Sequence, residues 1–584
     1  MAHSQSTRRR GHSARLTVRR SRRLTLGPVA IPTEVPNTTV IFIFLRKMRS
    51  PLLALIGVMA IAVFGLSLMP GDPQPDGSDG RLSVFDAFYI FTYTAATIGF
   101  GEYPHEFSIQ QRWWVVMFIY LSVAVWAFAL GRTISLFQDS SFAAARAAQS
   151  FSHTIDRLRE PFVIIIGYGY IGRSVARALD LRGRRIVIID DDTTPIERLA
   201  TDLLLTEPPA LTADARNPAI LGIAGLDRPT CSAVLALTGD EEANLQIVMT
   251  CRLLRPDIPV IARAATRRIA QSMEDFAASA VVNPYDDYGD RLLLALRKPY
   301  AFRLLTWLTA EDGMELPPVP RPVEPRNWLV ITDGQFGDQI ADDLRTAGRT
   351  VRRVAPTDDL DLAGVTAVVA GAESDTTNLA LAAHIRTLDP EIYLAVRQQS
   401  HAHLPLLEAF SPDSVFFPPH IVTQRVITTL VTPRLWGFLQ TIMRGDDEWS
   451  KRVTDRIVER VGVRTPHAER LSITEQGAPS VWRWLEHRPV TLGALFRSPQ
   501  DHTRTIAALP LLLIRDGEIT QLPDDDTELR RDDEILMLAR NRALTEQNEV
   551  IYDDTTLYYV TTGKDIPTSR AWRKLTNQRW KDAF

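Results

Sequence analysis

Cysteine is nearly absent: the 584 residues include two, Cys231 and Cys251. Two thiols cannot staple a chain this long, so a disulfide framework is excluded. Their surroundings place both as reduced packing residues of an intracellular domain, Cys231 in a strand and Cys251 in a helix. An excess of one charge is missing too, with 66 Lys and Arg against 69 Asp and Glu, and no nucleic-acid partner is expected. Metal-ligand spacing is absent around His401 and His403. It is also absent around Asp524, Asp525, Asp526, Asp532 and Asp533, which read as Asp-rich turns at strand ends, with calcium as the alternative. A 45% apolar and 23% charged composition excludes both wholesale disorder and a chain made mostly of membrane helices. At roughly 150 residues per domain the length excludes a single small fold.

The balanced totals conceal segregation. The first 50 residues hold eleven Lys and Arg against one acid, Glu34. The apolar run Val40–Leu45 that follows is too short for a signal peptide, so residues 1–48 are expected to stay attached as a basic tail against anionic lipid. Residues 51–69 and 113–131 are each nineteen residues without a charge, about the length needed to cross hydrocarbon at 1.5 Å per residue. Basic residues crowd the segment before Pro51 and recur after the second span at Arg132, Arg146, Arg157 and Arg159. Residues 70–112 carry Arg81 and Arg112 against Asp72, Asp76, Asp79, Asp86, Glu102 and Glu106. This asymmetry predicts a multi-pass plasma-membrane protein with both termini in the cytoplasm.

The segment between the spans is too apolar for a plain external loop. LSVFDAFYIFTYTAA predicts a short helix that ends at Thr97-Ile98-Gly99-Phe100-Gly101-Glu102. Alternating glycines permit an extended backbone with successive carbonyls turned to one side, and non-helical backbone at membrane depth survives only when buried or lining a cavity. These residues resemble the potassium-channel signature T-V-G-Y-G-D, with Ile98, Phe100 and Glu102 as substitutions. The resemblance implies that carbonyls of Thr97, Ile98, Gly99 and Phe100, with the Thr97 hydroxyl, replace the hydration shell of potassium. It also implies a homotetramer, since such a filter needs four loops. Phe100 lacks a bracing hydroxyl and Ala96 stands where many relatives have Thr, which leaves a poorly selective cation channel as the alternative.

Beyond a helical connector (139–160), FVIII-GYGYIG precedes a helix, a second strand and Asp190. Strand, Gly167-x-Gly169-x-x-Gly172, helix, strand and acid in that order form a dinucleotide fingerprint. Gly167 makes the tight turn, Gly169 admits a pyrophosphate, Gly172 packs the helix on the sheet, and the helix N-terminus attracts phosphate. Tyr168, Tyr170 and Ile171 complete the loop, and Asp190, followed by Asp191, is placed to accept from ribose hydroxyls. Further strands are predicted around Thr212, Val234–Leu237 and Val260–Ala262. The stretch resembles the ligand-binding lobe of RCK (regulator of potassium conductance) domains and Trk-type subunits. That resemblance implies NAD or NADH as a regulatory ligand, with Asp214 and Ala215 near the adenine, Thr238 and Gly239 in the crevice and Arg263 near phosphate. Loop capping is the competing role for Asp214 and Thr238.

The chain then repeats itself. WLVITDGQFGDQIADDL aligns with the first glycine loop at an offset of 165 (334 − 169), and Asn378, Pro390, Arg397 and Pro433 follow Asn244, Pro256, Arg263 and Pro299 at an offset of 134 (378 − 244). The second copy is therefore shorter, with Thr332 for the first glycine and Ala355-Pro356 where an acid is expected, and it is read as fold without dinucleotide binding. Matched amphipathic segments, 288–308 and 422–439, predict helix pairs around a shared proline, which the RCK resemblance assigns to an interface. Strands at Ser472–Thr474, Leu511–Ile514 and Ile535–Leu538 predict a small C-terminal lobe.

The expected architecture is an α-helical pore domain at 49–138, with a pore helix and filter at 82–102. Two α/β Rossmann-like RCK repeats follow (161–310 and 326–445), then a small α+β lobe (465–545) and a tail (546–584). No catalytic proton donor is paired with a substrate pocket, so a membrane-anchored NAD oxidoreductase is the distant alternative to a ligand-gated channel.

Overall fold

The computed structural model describes residues 37–564 except 74–78, 97, 102, 104–105, 139, 311–312, 321–324 and 357–359. Thr97, Glu102, most of the basic N-terminal tail and the end of the C-terminal tail lie outside the described residues. An α-helical N-terminal region precedes parallel-sheet α/β units of Rossmann type.

The described residues begin with four helices: α1 (Asn37–Leu68), α2 (Val84–Ala95), α3 (Ile109–Phe137) and α4 (Ser140–Arg157). The apolar stretches Phe44–Leu68 and Ile109–Ser135 have mean hydropathies of 2.4 and 2.1, and only 22% and 6% of their most apolar windows are buried. A soluble core helix would be mostly covered, so these exposed apolar faces call for lipid or neighbouring chains. α1 and α3 touch closely: a Cβ on Gly65 would overlap the Trp114 ring, and the Trp114 indole N–H donates to the Ala62 carbonyl at 3.2 Å. Ser83 caps α2 by accepting the Asp86 amide. Ala87, Ile90, Phe91 and Tyr93 of α2 are buried, in one cluster with Ala62 and Leu66 of α1 and Phe118 of α3.

The first sheet contains β1 (Phe162–Ile166), β2 (Arg185–Asp190), β3 (Ala210–Thr212), β4 (Cys231–Ala236), β5 (Val260–Arg263) and β6 (Ala280–Val282), ordered β3-β2-β1-β4-β5-β6, with every pair parallel. The order reverses between β1 and β4, which opens a crevice at the strand ends where ligands bind in such sheets. Both faces of the sheet are covered, which explains the unbroken apolar run of β1. Cys231 and Cys251 are buried and unbridged, and desolvation pushes both thiols up to about 12. α4 is built into this unit, with Phe151 and Ile155 in the same core as Phe162 and Leu221.

The second sheet contains β7 (Asn327–Ile331), β8 (Thr350–Val354), β9 (Ala367–Ala370), β10 (Tyr393–Arg397) and β11 (Ser414–Phe416), ordered β11-β10-β9-β7-β8. It follows the first sheet, but among the described residues it has no counterpart of β3 or of the helices that flank β3.

Each repeat ends in a helix pair, Pro284–Arg297 with Pro299–Leu308 and Pro418–Leu430 with Pro433–Arg444, and each second helix starts at the shared proline. The pairs are exchanged. Tyr285, Tyr288 and Leu292 pack with Phe336, Ile340 and Leu344 of the second repeat, whereas Val422, Val426 and Ile427 pack with Ile171, Val175 and Leu179 of the first.

The C-terminal lobe is built on a four-stranded antiparallel sheet: β12 (His467–Ser472), β13 (Ala508–Arg515), β14 (Glu518–Gln521) and β15 (Glu534–Ala539), ordered β12-β15-β13-β14. The boundary expected at 545 is corrected. Helices Asn541–Tyr552 and Asp554–Thr562 place Val550, Ile551, Leu557 and Val560 in the core of this lobe, so what was read as a tail is part of it.

Candidate functional site

Two places carry chemistry. The first is the loop after α2. Gly99 and Gly101 have φ of +64° and +70°, with nothing within 4 Å of where a Cβ would stand. Glycine takes this left-handed conformation at no steric cost, and it alternates here with Ile98 and Phe100. The amides of Ile98 and Gly99 both donate to the Tyr93 carbonyl, at 3.0 and 3.3 Å. In a trans peptide the C=O opposes the N–H, so the Ile98 carbonyl faces away from α2. Phe100 meets Tyr93 edge-on at 6.1 Å between ring centroids, a contact that needs no hydroxyl. Ile98 and Phe100 are nonetheless 59% and 63% exposed in the single chain.

The second place is the crevice of the first repeat. Helix α5 (Tyr170–Asp180) follows β1 directly, with Gly169 as its N-cap residue. Gly167 has φ of +93°, and a Cβ there would lie 2.7 Å from the Thr238 nitrogen. Gly172 lies under the Gly167 carbonyl, 1.9 Å from a would-be Cβ, which holds α5 tightly on the sheet. Gly169 and Gly239 have open space where a side chain would be. Asp190 is 8% exposed. Its carboxylate accepts the Tyr168 amide at 2.5 Å and the Asp192 amide at 2.9 Å, so it braces the glycine loop, and each oxygen keeps a lone pair for a hydroxyl donor.

The remaining predicted residues divide. Tyr168 turns its ring into the core and its hydroxyl to Asp202 at 2.9 Å; burial, then Asp202, raises its pKa. Arg173, the residue after Gly172, grips the same carboxylate. Ile171 is a packing residue, and Tyr170 is exposed. Ala215 is buried in the core, so its side chain does not line the crevice. Asp214 is held by Arg216 through paired contacts of 2.8 to 3.0 Å, and that hydrogen bonding lowers its pKa. Asp191 and Asp240 lie close enough to Arg216 to raise its pKa further, so the ends of β2, β3 and β4 share one basic group that the sequence did not single out. The Thr238 hydroxyl donates to the Asp240 carbonyl and Asn244 Oδ1, a loop-capping role; only its backbone meets Gly167. Arg263 donates Nη1 to the Thr238 carbonyl at 3.1 Å, while its buried Nε has no partner. Burial depresses its pKa, Tyr285 opposes that shift, and the like charge of Arg397 adds to it.

The ion channel family matches residues 52–139, which contain the glycine loop, and the TrkA-N domain family matches residues 163–284, which contain the crevice. The chain carries an ion-channel domain and a TrkA-N domain. Potassium channel protein 1 of Methanocaldococcus jannaschii is 25% identical over 235 residues, covering 40% of this chain and 68% of that protein. Probable potassium channel protein 2 of the same organism is 21% identical over 272 residues, covering 46% and 75%. Among solved structures, the GsuK channel bound to NAD is similar at 13% identity and a TM-score of 0.40, covering 88% of this chain and 99% of that one. The ion-channel domain, with its two exposed apolar helices, makes this a membrane protein.

The acids considered for calcium are partly committed elsewhere. Asp533 is 1% exposed, grips Arg515 at 2.9 and 2.8 Å and accepts the Arg530 amide at 2.7 Å. Among the described residues no group of three His, Cys, Asp or Glu is placed to hold a metal.

Proposed function

We propose that this protein is a potassium channel of four identical chains, gated by an adenine nucleotide, NAD or NADH, in the TrkA-N crevice. The observation that carries the pore is the pair of left-handed glycines following a helix whose Tyr93 carbonyl takes the loop amides. Carbonyls of Thr97, Ile98, Gly99 and Phe100, with the Thr97 hydroxyl, then replace water around potassium, and Gly101 and Glu102 complete the mouth. One chain supplies one loop of four, and the exposed Ile98 and Phe100 are surfaces for neighbouring loops to cover. The basic flanks put both termini in the cytoplasm of a plasma-membrane protein.

For the crevice, the supporting features are the open space over Gly169 and Gly239, the braced Asp190 and the partnerless Nε of Arg263. The glycine loop and Arg263 would hold phosphates, and Asp190 and Asp191 ribose hydroxyls. Helix α5, which starts at this loop, also receives the exchanged helix Pro418–Leu430, with Thr423 Oγ1 donating to Ser174 Oγ at 3.0 Å. A ligand at the loop therefore bears on the contact between repeats, and α4 links that unit to α3. Free energy for gating comes only from differential affinity for two shapes of the ring of eight repeats.

Flux from reconstituted full-length protein tests this. Potassium current should change with NAD, NADH or ADP; indifference to all three would remove the effector and leave the pore. Phe100, which carries no hydroxyl, favours a second reading with weak discrimination against sodium, and reversal potentials under opposed gradients separate the two. Steady-state NADH consumption would revive an oxidoreductase.

A further inference from the structure

The two repeats match hydrogen bond for hydrogen bond around the loop after their fourth-strand equivalents, β4 and β9. Asn244 accepts the Thr238 amide at 3.1 Å and donates to the carbonyls of Thr238 and Arg263 at 3.1 and 3.0 Å. Asn378 accepts the Ala372 amide at 2.8 Å and donates to the carbonyls of Ala372 and Arg397 at 2.9 and 3.0 Å. Against this common frame one exchange stands out: the counterpart of Gly239 is Glu373. Its carboxylate reaches back over the glycine loop, where Oε1 lies 2.6 Å from the position a Cβ on Gly334 would take. Arg397, the counterpart of Arg263, is 4% exposed and clamps that carboxylate with Nη1–Oε1 at 2.7 Å and Nη2–Oε2 at 3.0 Å. In the first repeat the same volume is open and Arg263 directs Nη1 to the Thr238 carbonyl instead of to a carboxylate, while the Nε of both arginines is buried without a partner.

We infer that the second repeat holds a latent anion site of the phosphate class, occupied by the chain's own Glu373 carboxylate in place of a ligand phosphate. A paired carboxylate satisfies a buried guanidinium in the same bidentate way as a phosphate, so the second repeat is fixed in its occupied arrangement and only the first is free to respond. The latent site takes phosphate or pyrophosphate and not a dinucleotide. Among the described residues no counterpart of β3 is present to flank an adenine, and the Thr332 methyl fills the start of the helix, 1.8 Å from a would-be Cβ on Gly337.

This deepens the phosphate reading of the first repeat, and the test separates the two because it is read at Arg397. Full-length protein is melted with and without inorganic pyrophosphate as wild type, Glu373→Ala, Glu373→Ala with Arg397→Met, and Glu373→Gln. Glu373→Ala should melt several degrees lower and recover with pyrophosphate, beyond any response of wild type; adding Arg397→Met should abolish that recovery. Glu373→Gln should also melt lower but recover less, because the amide still fills the site. An Glu373→Ala protein with no added pyrophosphate response overturns the inference. If that variant yields no folded protein, Glu373→Gln decides: melting like wild type would show that the carboxylate charge has no role. An absent wild-type response with the Arg397-dependent gain intact would count against the first repeat alone.

Discussion

A Cβ on Gly167 would lie 2.7 Å from the amide nitrogen of Thr238, so the loops closing β1 and β4 meet backbone to backbone at the point where the strand order reverses. Gly167→Ala would combine a left-handed φ with this overlap. The expected cost is about 1–3 kcal/mol from backbone strain alone, with loss of adenine-nucleotide binding. Thermal melting and a binding isotherm check both, and wild-type affinity would contradict the assignment.

Arg263 gives an opposite pairing of effects. Its guanidinium is desolvated, and no carboxylate among the described contacts bonds to it. Arg263→Met should therefore leave the ligand-free protein as stable or more stable, by up to roughly 1–2 kcal/mol. Nucleotide affinity should fall about 10- to 100-fold, the worth of a charged hydrogen bond. Unchanged affinity would remove Arg263 from the site.

The contact between repeats carries a pH dependence. Burial pushes Asp287 up to about 6, against the pull of Arg425 and Arg291 and with the help of Asp290 and Asp286. A carboxyl with a raised folded pKa takes up a proton on folding between about 4 and 6, so stability falls as pH rises through that window, by at most about 1.4 kcal/mol per pH unit. Asp287→Asn should flatten this slope in melting curves taken from pH 4 to 7; an unaltered slope would assign it to another group.

Much of this was legible in the sequence because the signals are local and periodic. Two charge-free runs, a strand followed by Gly167-x-Gly169-x-x-Gly172, and a repeat offset each declare themselves within a short window. The shortening of the second copy followed from the difference between two offsets. Partnerships across the fold were hidden. Asp190 read as a ribose acceptor, but it also braces the Tyr168 amide 22 residues away. Ala215 adjoins the crevice in sequence, yet its methyl faces the core. The helices after residue 541 were missed because their apolar positions acquire meaning only in the lobe's core, beside Val481, Trp484 and Leu495. β14 was invisible since all four of its residues are exposed.

Phe100→Tyr probes discrimination. The added hydroxyl supplies the brace that Phe100 lacks, while the edge contact with Tyr93 can persist. The reversal potential in opposed potassium and sodium gradients should move toward the potassium value or stay there. A move toward sodium would show that the ring contact, not a hydroxyl, sets the loop's dimensions.

The most direct measurement is current through planar bilayers containing purified full-length protein in symmetric potassium, beside a Gly101→Ala variant. Gly101 has φ of +70°, which alanine resists, so wild type should pass discrete potassium currents and the variant none. Wild type that conducts nothing with or without adenine nucleotides, or a variant with wild-type conductance, would contradict a carbonyl-lined filter at residues 97–101.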